Sequence, residues 1–175
     1  MNLTETGQAI ARDMEAAHAE WGANCGPSAL AAITCQTLAQ VRPHLGDFEK
    51  KGYTNPTLMF AALASMRREF RSIRPSSPSQ NFWPSFGLVR IQWHGPWMDA
   101  GVHYGARYRK SHWIGAMRSQ ANGVGIFDCN ALANGTGWCG LKNWEEVIVP
   151  FILESYPKAN GLWSITHMVE VDRCE

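Results

Sequence analysis

Apolar residues recur at helical spacing through the first third of the chain and alternate with period two through much of the rest. Between Gln8 and Glu20, the residues Ile10, Met14 and Ala17 fall on one stripe, with Arg12, Asp13 and Glu15 off it, which predicts an amphipathic helix. Trp21-Gly22-Ala23-Asn24 breaks that pattern. Cys25-Gly26-Pro27-Ser28-Ala29-Leu30-Ala31-Ala32-Ile33-Thr34 then predicts a second helix. Pro27 suits its first turn, and the alanines are strong helix formers small enough to pack closely in a core. A third helix is expected from Asn55 as cap and Pro56 just inside, carrying Met59, Leu63, Met66 and Phe70 at helical spacing.

Beyond about residue 70 the period changes. Loop-forming Ser, Pro, Gln and Asn cluster between Pro75 and Pro84. Leu88-Val89-Arg90-Ile91-Gln92-Trp93 alternates as a half-buried strand does, and two more strands are expected over Ser111–Arg118 and Gly123–Asp128. After the glycine-rich Asn134-Gly135-Thr136-Gly137, the stretch Asn143-Trp144-Glu145-Glu146 reads as a capping box opening a short helix that Pro150 kinks or ends. Leu162–Val171 closes the chain as a strand. Helices first and a mostly antiparallel sheet afterwards predict an α+β fold, one domain over 1–175 with a helical part to about 70 and a sheet part from about 71.

Composition narrows the function classes. The 175 residues carry a net charge of +1, which is no general signature of nucleic-acid or membrane binding. No apolar run reaches the length of a spanning helix, and the N-terminus has neither a basic start nor an apolar stretch, so a cytoplasmic protein is expected. Residues 65 to 118 hold nine Arg/Lys against Glu69 and Asp99, a local +7 with −6 elsewhere. That stretch is either a solvated face or a surface for an acidic partner. The five cysteines (Cys25, Cys35, Cys129, Cys139 and Cys174) form no C-x-x-C pair, so no zinc site is expected. Their odd number, without a secretory signal, argues against a disulfide framework and for a thiol with a task.

Cys25 is the thiol best placed for chemistry. It stands at a predicted helix N-terminus, where unpaired N–H groups and the helix dipole favour a thiolate, and Gly26 leaves room beside the sulfur for a substrate backbone. Cys35, ten residues on, lacks that advantage. A nucleophilic thiol needs a base, and the base an orienting group. If Ser111–Arg118 and Gly123–Asp128 form a hairpin, pairing His112 with Asp128 also pairs Ile114 with Ile126, Ala116 with Val124 and Trp113 with Phe127. The turn then falls in Ser119-Gln120-Ala121-Asn122, with Gly123 free to take positive φ. Such a hairpin sets an imidazole beside a carboxylate. His94 is a second candidate base, and Asn130 a second candidate for the orienting role.

Asn24-Cys25-Gly26-Pro27-Ser28-Ala29-Leu30, with Ser111-His112-Trp113-Ile114 and Ile126-Phe127-Asp128-Cys129-Asn130 far downstream, resembles the papain-like superfamily. The nearer match is its bacterial branch, similar to the bacteriocin-processing (double-glycine) peptidases. The resemblance implies a papain-like fold and a cysteine hydrolase of peptide, isopeptide or related amide bonds, suited to a bacterial or phage protein. Cys25 would be nucleophile, His112 general base and acid, and Asp128 the orienting residue. The family usually places a Gln five or six residues before the cysteine to help form the oxyanion hole. Here those positions are Glu20 and Ala19, which leaves the Cys25 N–H with Gln8 or Asn24 as substitute donor. Trp113 is the expected groove residue. A peptide or protein substrate is implied, with no cofactor and no metal. The alternatives are an acyltransferase using the same triad and a non-catalytic module that holds a partner in the groove or on the basic 65–118 stretch.

Overall fold

The structure, a computed structural model, describes residues 1–73 and 83–174. The loop expected over 75–84 lies mostly outside them. The fold is mixed α+β, as the pattern of the chain predicts. Six strands form one antiparallel sheet: β1 (Phe70–Ile73), β2 (Phe86–Trp93), β3 (Ser111–Ser119), β4 (Gly123–Phe127), β5 (Trp138–Gly140) and β6 (Trp163–Val171). Their order is β1-β6-β2-β3-β4-β5, so the last strand of the chain enters between the first two. β2 is therefore central, and all eight of its residues are buried rather than half of them.

The first half supplies α1 (Leu3–Trp21), α2 (Cys25–Thr34), the single turns α3 (Leu38–Val41) and α4 (Phe48–Lys51), and α5 (Pro56–Ser65). α1 starts earlier than expected because Asn2 and Glu5 close a capping box. α5 begins at its Asn55 cap as predicted. It stops at Ser65 instead of running on to Phe70, since Arg67 takes a left-handed φ of 55° and Phe70 opens β1. These helices cover one face of the sheet. Ile10, Leu30, Ile33, Met59 and Leu63 meet Leu88, Trp113, Phe127 and Val169 there in one core. On the other face, Val89, Ile91, Trp93, Ile114 and Ile126 pack against Trp144, Val149 and Ile152.

That second cover differs from expectation. A short α6 (Tyr104–Arg107) precedes β3, and α7 (Leu141–Asn143) runs through a π-turn (Trp144–Ile148) into α8 (Val149–Leu153). Asn143 is helical and caps nothing. Pro150 sits in the first turn of α8, where its missing N–H costs least, and does not end the helix. The Val149 N–H reaches back to the Trp144 carbonyl, the wider turn that admits the proline.

The cysteine expectation is also corrected. Cys35, the left-handed C-cap of α2, forms a disulfide with Cys174. The bond joins residues 139 apart in sequence and ties the end of the chain to α2.

Candidate active site

Cys25 opens α2. Asn24 holds an extended conformation and accepts the Gly26 N–H on its side-chain oxygen at 3.2 Å, while its carbonyl takes the Ser28 N–H at 3.1 Å. The Asn24 amide nitrogen donates to the Gly52 carbonyl at 3.0 Å. Gly26 is buried, and the space that a Cβ would need is filled by the Thr54 side chain. Its lack of a side chain thus serves a close approach within the fold, not room for a substrate.

His112 and Asp128 come together, but through a different register. β3 and β4 pair Gly115 with Phe127, Ala116 with Ile126 and Ser119 with Gly123, which shifts the expected pairing by two positions. The loop is Gln120-Ala121-Asn122, one residue shorter than expected, and Gly123 has the positive φ foreseen for it, at 70°. A shift of two keeps every side chain on its face. Asp128, just past the end of β4, therefore reaches His112 diagonally instead of squarely, with Nε2 and Oδ2 2.8 Å apart.

Asp128 is fully buried and accepts four hydrogen bonds. Oδ2 takes the His112 Nε2–H and the Trp144 indole N–H at 2.8 Å, and Oδ1 takes the backbone and side-chain N–H of Asn130, each at 2.9 Å. Trp93 stacks on the imidazole, centroids 6.0 Å apart, and Trp144 backs Trp93 at 6.2 Å. With Nε2 committed to Asp128, Nδ1 is the ring nitrogen left for the Cys25 thiol, with which His112 is hydrogen-bonded. The Trp113 N–H lies beyond the last β3–β4 pair and points at the same sulfur. The thiol thus sits where β4 parts from β3.

The charges reinforce one another. Burial works against the imidazolium, yet the Asp128 carboxylate and the Cys25 thiolate outweigh it and hold His112 well above its ordinary value. Burial likewise raises the Cys25 thiol, but the His112 charge and hydrogen bond and the Trp113 N–H bring it below the usual thiol range. Asp128 is pushed up by burial and pulled down further by His112, Trp144 and Asn130, to about 2. The arrangement favours a thiolate–imidazolium pair anchored by a carboxylate, a nucleophile and a proton donor side by side.

The other expected site residues fall elsewhere. Gln8 is exposed on α1, and the Asn24 amide gives one of its two N–H groups to the Gly52 carbonyl. Glu20 pairs with Arg42. Trp113 is 2% exposed and donates its indole N–H to the Thr54 carbonyl at 3.0 Å, which makes it core and not groove. Asn130 holds Asp128 and does not replace it. His94 bonds Ser164 and stays off the triad. Trp144 was not legible as a site residue, because nothing local ties an indole to a carboxylate sixteen residues earlier. Cys129 lies near Cys25 and Asp128, where burial and those two charges push its thiol well up, so it is no rival nucleophile. Among the described residues no group of His, Cys, Asp or Glu is placed to hold a metal ion, and no helix is long and apolar enough to cross a membrane. Neither the models of known protein families nor the curated proteins contain a match to this chain.

Proposed function

We propose that this chain is a papain-like cysteine hydrolase of peptide, isopeptide or related amide bonds. The observation that carries the reading is the fully buried Asp128 carboxylate, held by four donors and aiming His112 at Cys25. In the reaction the Cys25 thiolate adds to the amide carbon and the negative charge gathers on the carbonyl oxygen, which the Cys25 N–H at the start of α2 faces. The imidazolium of His112 gives its proton to the leaving nitrogen as the C–N bond breaks, and a thioester remains. His112, now neutral, takes a proton from water as its oxygen attacks the thioester, and the thiolate returns. An amine in place of that water makes the same triad an acyltransferase.

A non-catalytic binding module is the second reading, favoured by the exposure of Gln8 and the bond of the Asn24 amide to Gly52, which leave the backbone as the better-placed oxyanion donor. The basic 65–118 stretch is less free for an acidic partner than its charge implies. Arg68 binds the Thr34 carbonyl, Arg71 pairs with Glu170, and Arg107 binds the Val102 and Ala100 carbonyls. A cytoplasmic setting is part of the first reading, and the Cys35–Cys174 disulfide pulls against it, because such bonds persist in oxidising compartments.

The test is intact-mass labelling by a neutral alkylating probe from pH 4 to 9 on wild type, Cys25→Ala and His112→Ala. One fast adduct on Cys25 is expected. It should persist well below the ~8.5 at which a free thiol ionises and slow by at least tenfold without His112. Uniform labelling of the free thiols, titrating as free cysteine does, would sink the hydrolase and leave the binding module.

A further inference from the structure

On the α5 side of the sheet lies a cleft of about 920 Å³ with a mixed polar and apolar lining that includes Asn55, Arg90, Gln92, Tyr108, Ser164 and His167. It lies next to the triad by three short links. Asn55 follows Thr54, whose side chain packs on Gly26 beside the nucleophile. Arg90 is the cross-strand neighbour of Trp113, whose N–H faces the Cys25 sulfur. Gln92 pairs with Ser111, the residue before His112.

Arg90 is the anomaly in this cleft. It is 7% exposed, and one terminal nitrogen donates to the Tyr108 carbonyl at 3.0 Å and to the Ser111 hydroxyl at 2.7 Å. Its Nε is buried with no partner, and among the described residues no carboxylate lies within ion-pair distance of the guanidinium. A guanidinium withdrawn from water without a counter-ion is costly, and its planar fork matches a carboxylate. Burial lowers its pKa, and the thiolate of Cys25 is the first charge opposing that. A bulge in β6 opposite Arg90 turns Thr166 onto the Arg90 carbonyl and leaves the neighbouring backbone irregular, a device common beside active sites.

Two further buried atoms line the same cleft without partners, Gln92 Oε1 and His167 Nδ1. Gln92 Oε1 only accepts, so it calls for a donor on the ligand. A peptide offers an N–H at each residue.

We infer that this cleft is the specificity subsite of the Cys25 centre and that it takes an amide substrate bearing a carboxylate close to the scissile bond, with Arg90 binding the carboxylate and Gln92 Oε1 accepting a peptide N–H. The inference rests on Cys25 being the reacting thiol. Its test uses two maleimides that differ by one carboxylate, N-ethylmaleimide and 3-maleimidopropionic acid, with the rate of adduct formation on Cys25 as readout. Wild type should favour the acid, and Arg90→Gln should lower the ratio of the two rates about tenfold, while Arg90→Lys retains part of it. An equal ratio in wild type and Arg90→Gln overturns the subsite. Should Arg90→Gln fail to fold, wild type alone decides. Glutarate must protect Cys25 from N-ethylmaleimide where glutaramide does not, and equal protection by both, or by neither, overturns the subsite. Stronger protection by inorganic phosphate overturns the carboxylate assignment. The hydrolase reading fails separately, through a rate with N-ethylmaleimide that is slow and indifferent to His112→Ala.

Discussion

Asp128 and Arg90 are both buried, one just beyond β4 and the other in the middle of β2, yet the chain surrounds them differently. Asp128 faces a protonated imidazole, an indole N–H and two N–H groups of Asn130, and its carboxyl lies at about 2. Arg90 faces neutral oxygens, keeps Nε without a partner and has no counter-ion among the described residues. A buried charge that is fully paired fixes geometry, because breaking any one bond strands a charge. A buried charge left half-paired is bound less tightly by its own chain and is correspondingly available to a ligand.

The sharpest way to break this comparison is Asp128→Ala. It should cost about 3–5 kcal/mol of stability, since it takes the carboxylate partner from a buried His112 charge. Thermal or urea unfolding would read the loss. The acid limb gives a second check. A carboxyl at about 2 in the fold and about 3.9 unfolded contributes stability that is full above pH ~4 and lost as the pH falls toward 2. Wild type should weaken through that window and Asp128→Ala by less, the remainder belonging to Glu170, which Ser85 and Arg71 also hold at about 2. An unchanged acid limb would show that Asp128 is not the ionised anchor described above.

Trp144→Phe probes one bond of the four. The ring still fills its place between Trp93 and Trp163, while Oδ2 loses an indole N–H. A loss of about 1–2 kcal/mol is expected, with the acid midpoint moving to higher pH because the carboxylate is less well held. No movement of that midpoint would reduce Trp144 to packing alone.

The smallest effect belongs to Arg90→Met, a swap of similar length that removes the uncompensated charge. Stability should change by less than about 1 kcal/mol, measured by the same unfolding. A loss as large as that of Asp128→Ala would mean that Arg90 is part of the frame, and the contrast between the two sites would collapse.

Much of the site is written locally. Asn24, Pro27 and the alanine run make α2 and put Cys25 at its start through capping and propensity, which act within a few residues. The His112–Asp128 pair was legible from strand parity even though the register was displaced by two, because only a displacement by an odd number would have turned one of them to the other face. Trp144 and the shortened loop were not legible, since both follow from which surfaces meet. The same holds for the roles expected of Trp113, Asn24 and Gly26, whose neighbours Thr54 and Gly52 come from a segment some thirty residues or more away.

The sequence by itself determined the class of fold, the helix that presents Cys25 and the face shared by His112 and Asp128, because turn chemistry and periodicity are short-range. Only the tertiary structure decided that β6 would enter between β1 and β2. That step bonded β2 on both edges and so drew Arg90 and Gln92 out of water. It also brought Cys174 to Cys35. Both outcomes depend on strand order, and strand order is set by how the two cores close around the sheet, which no local stretch of residues contains.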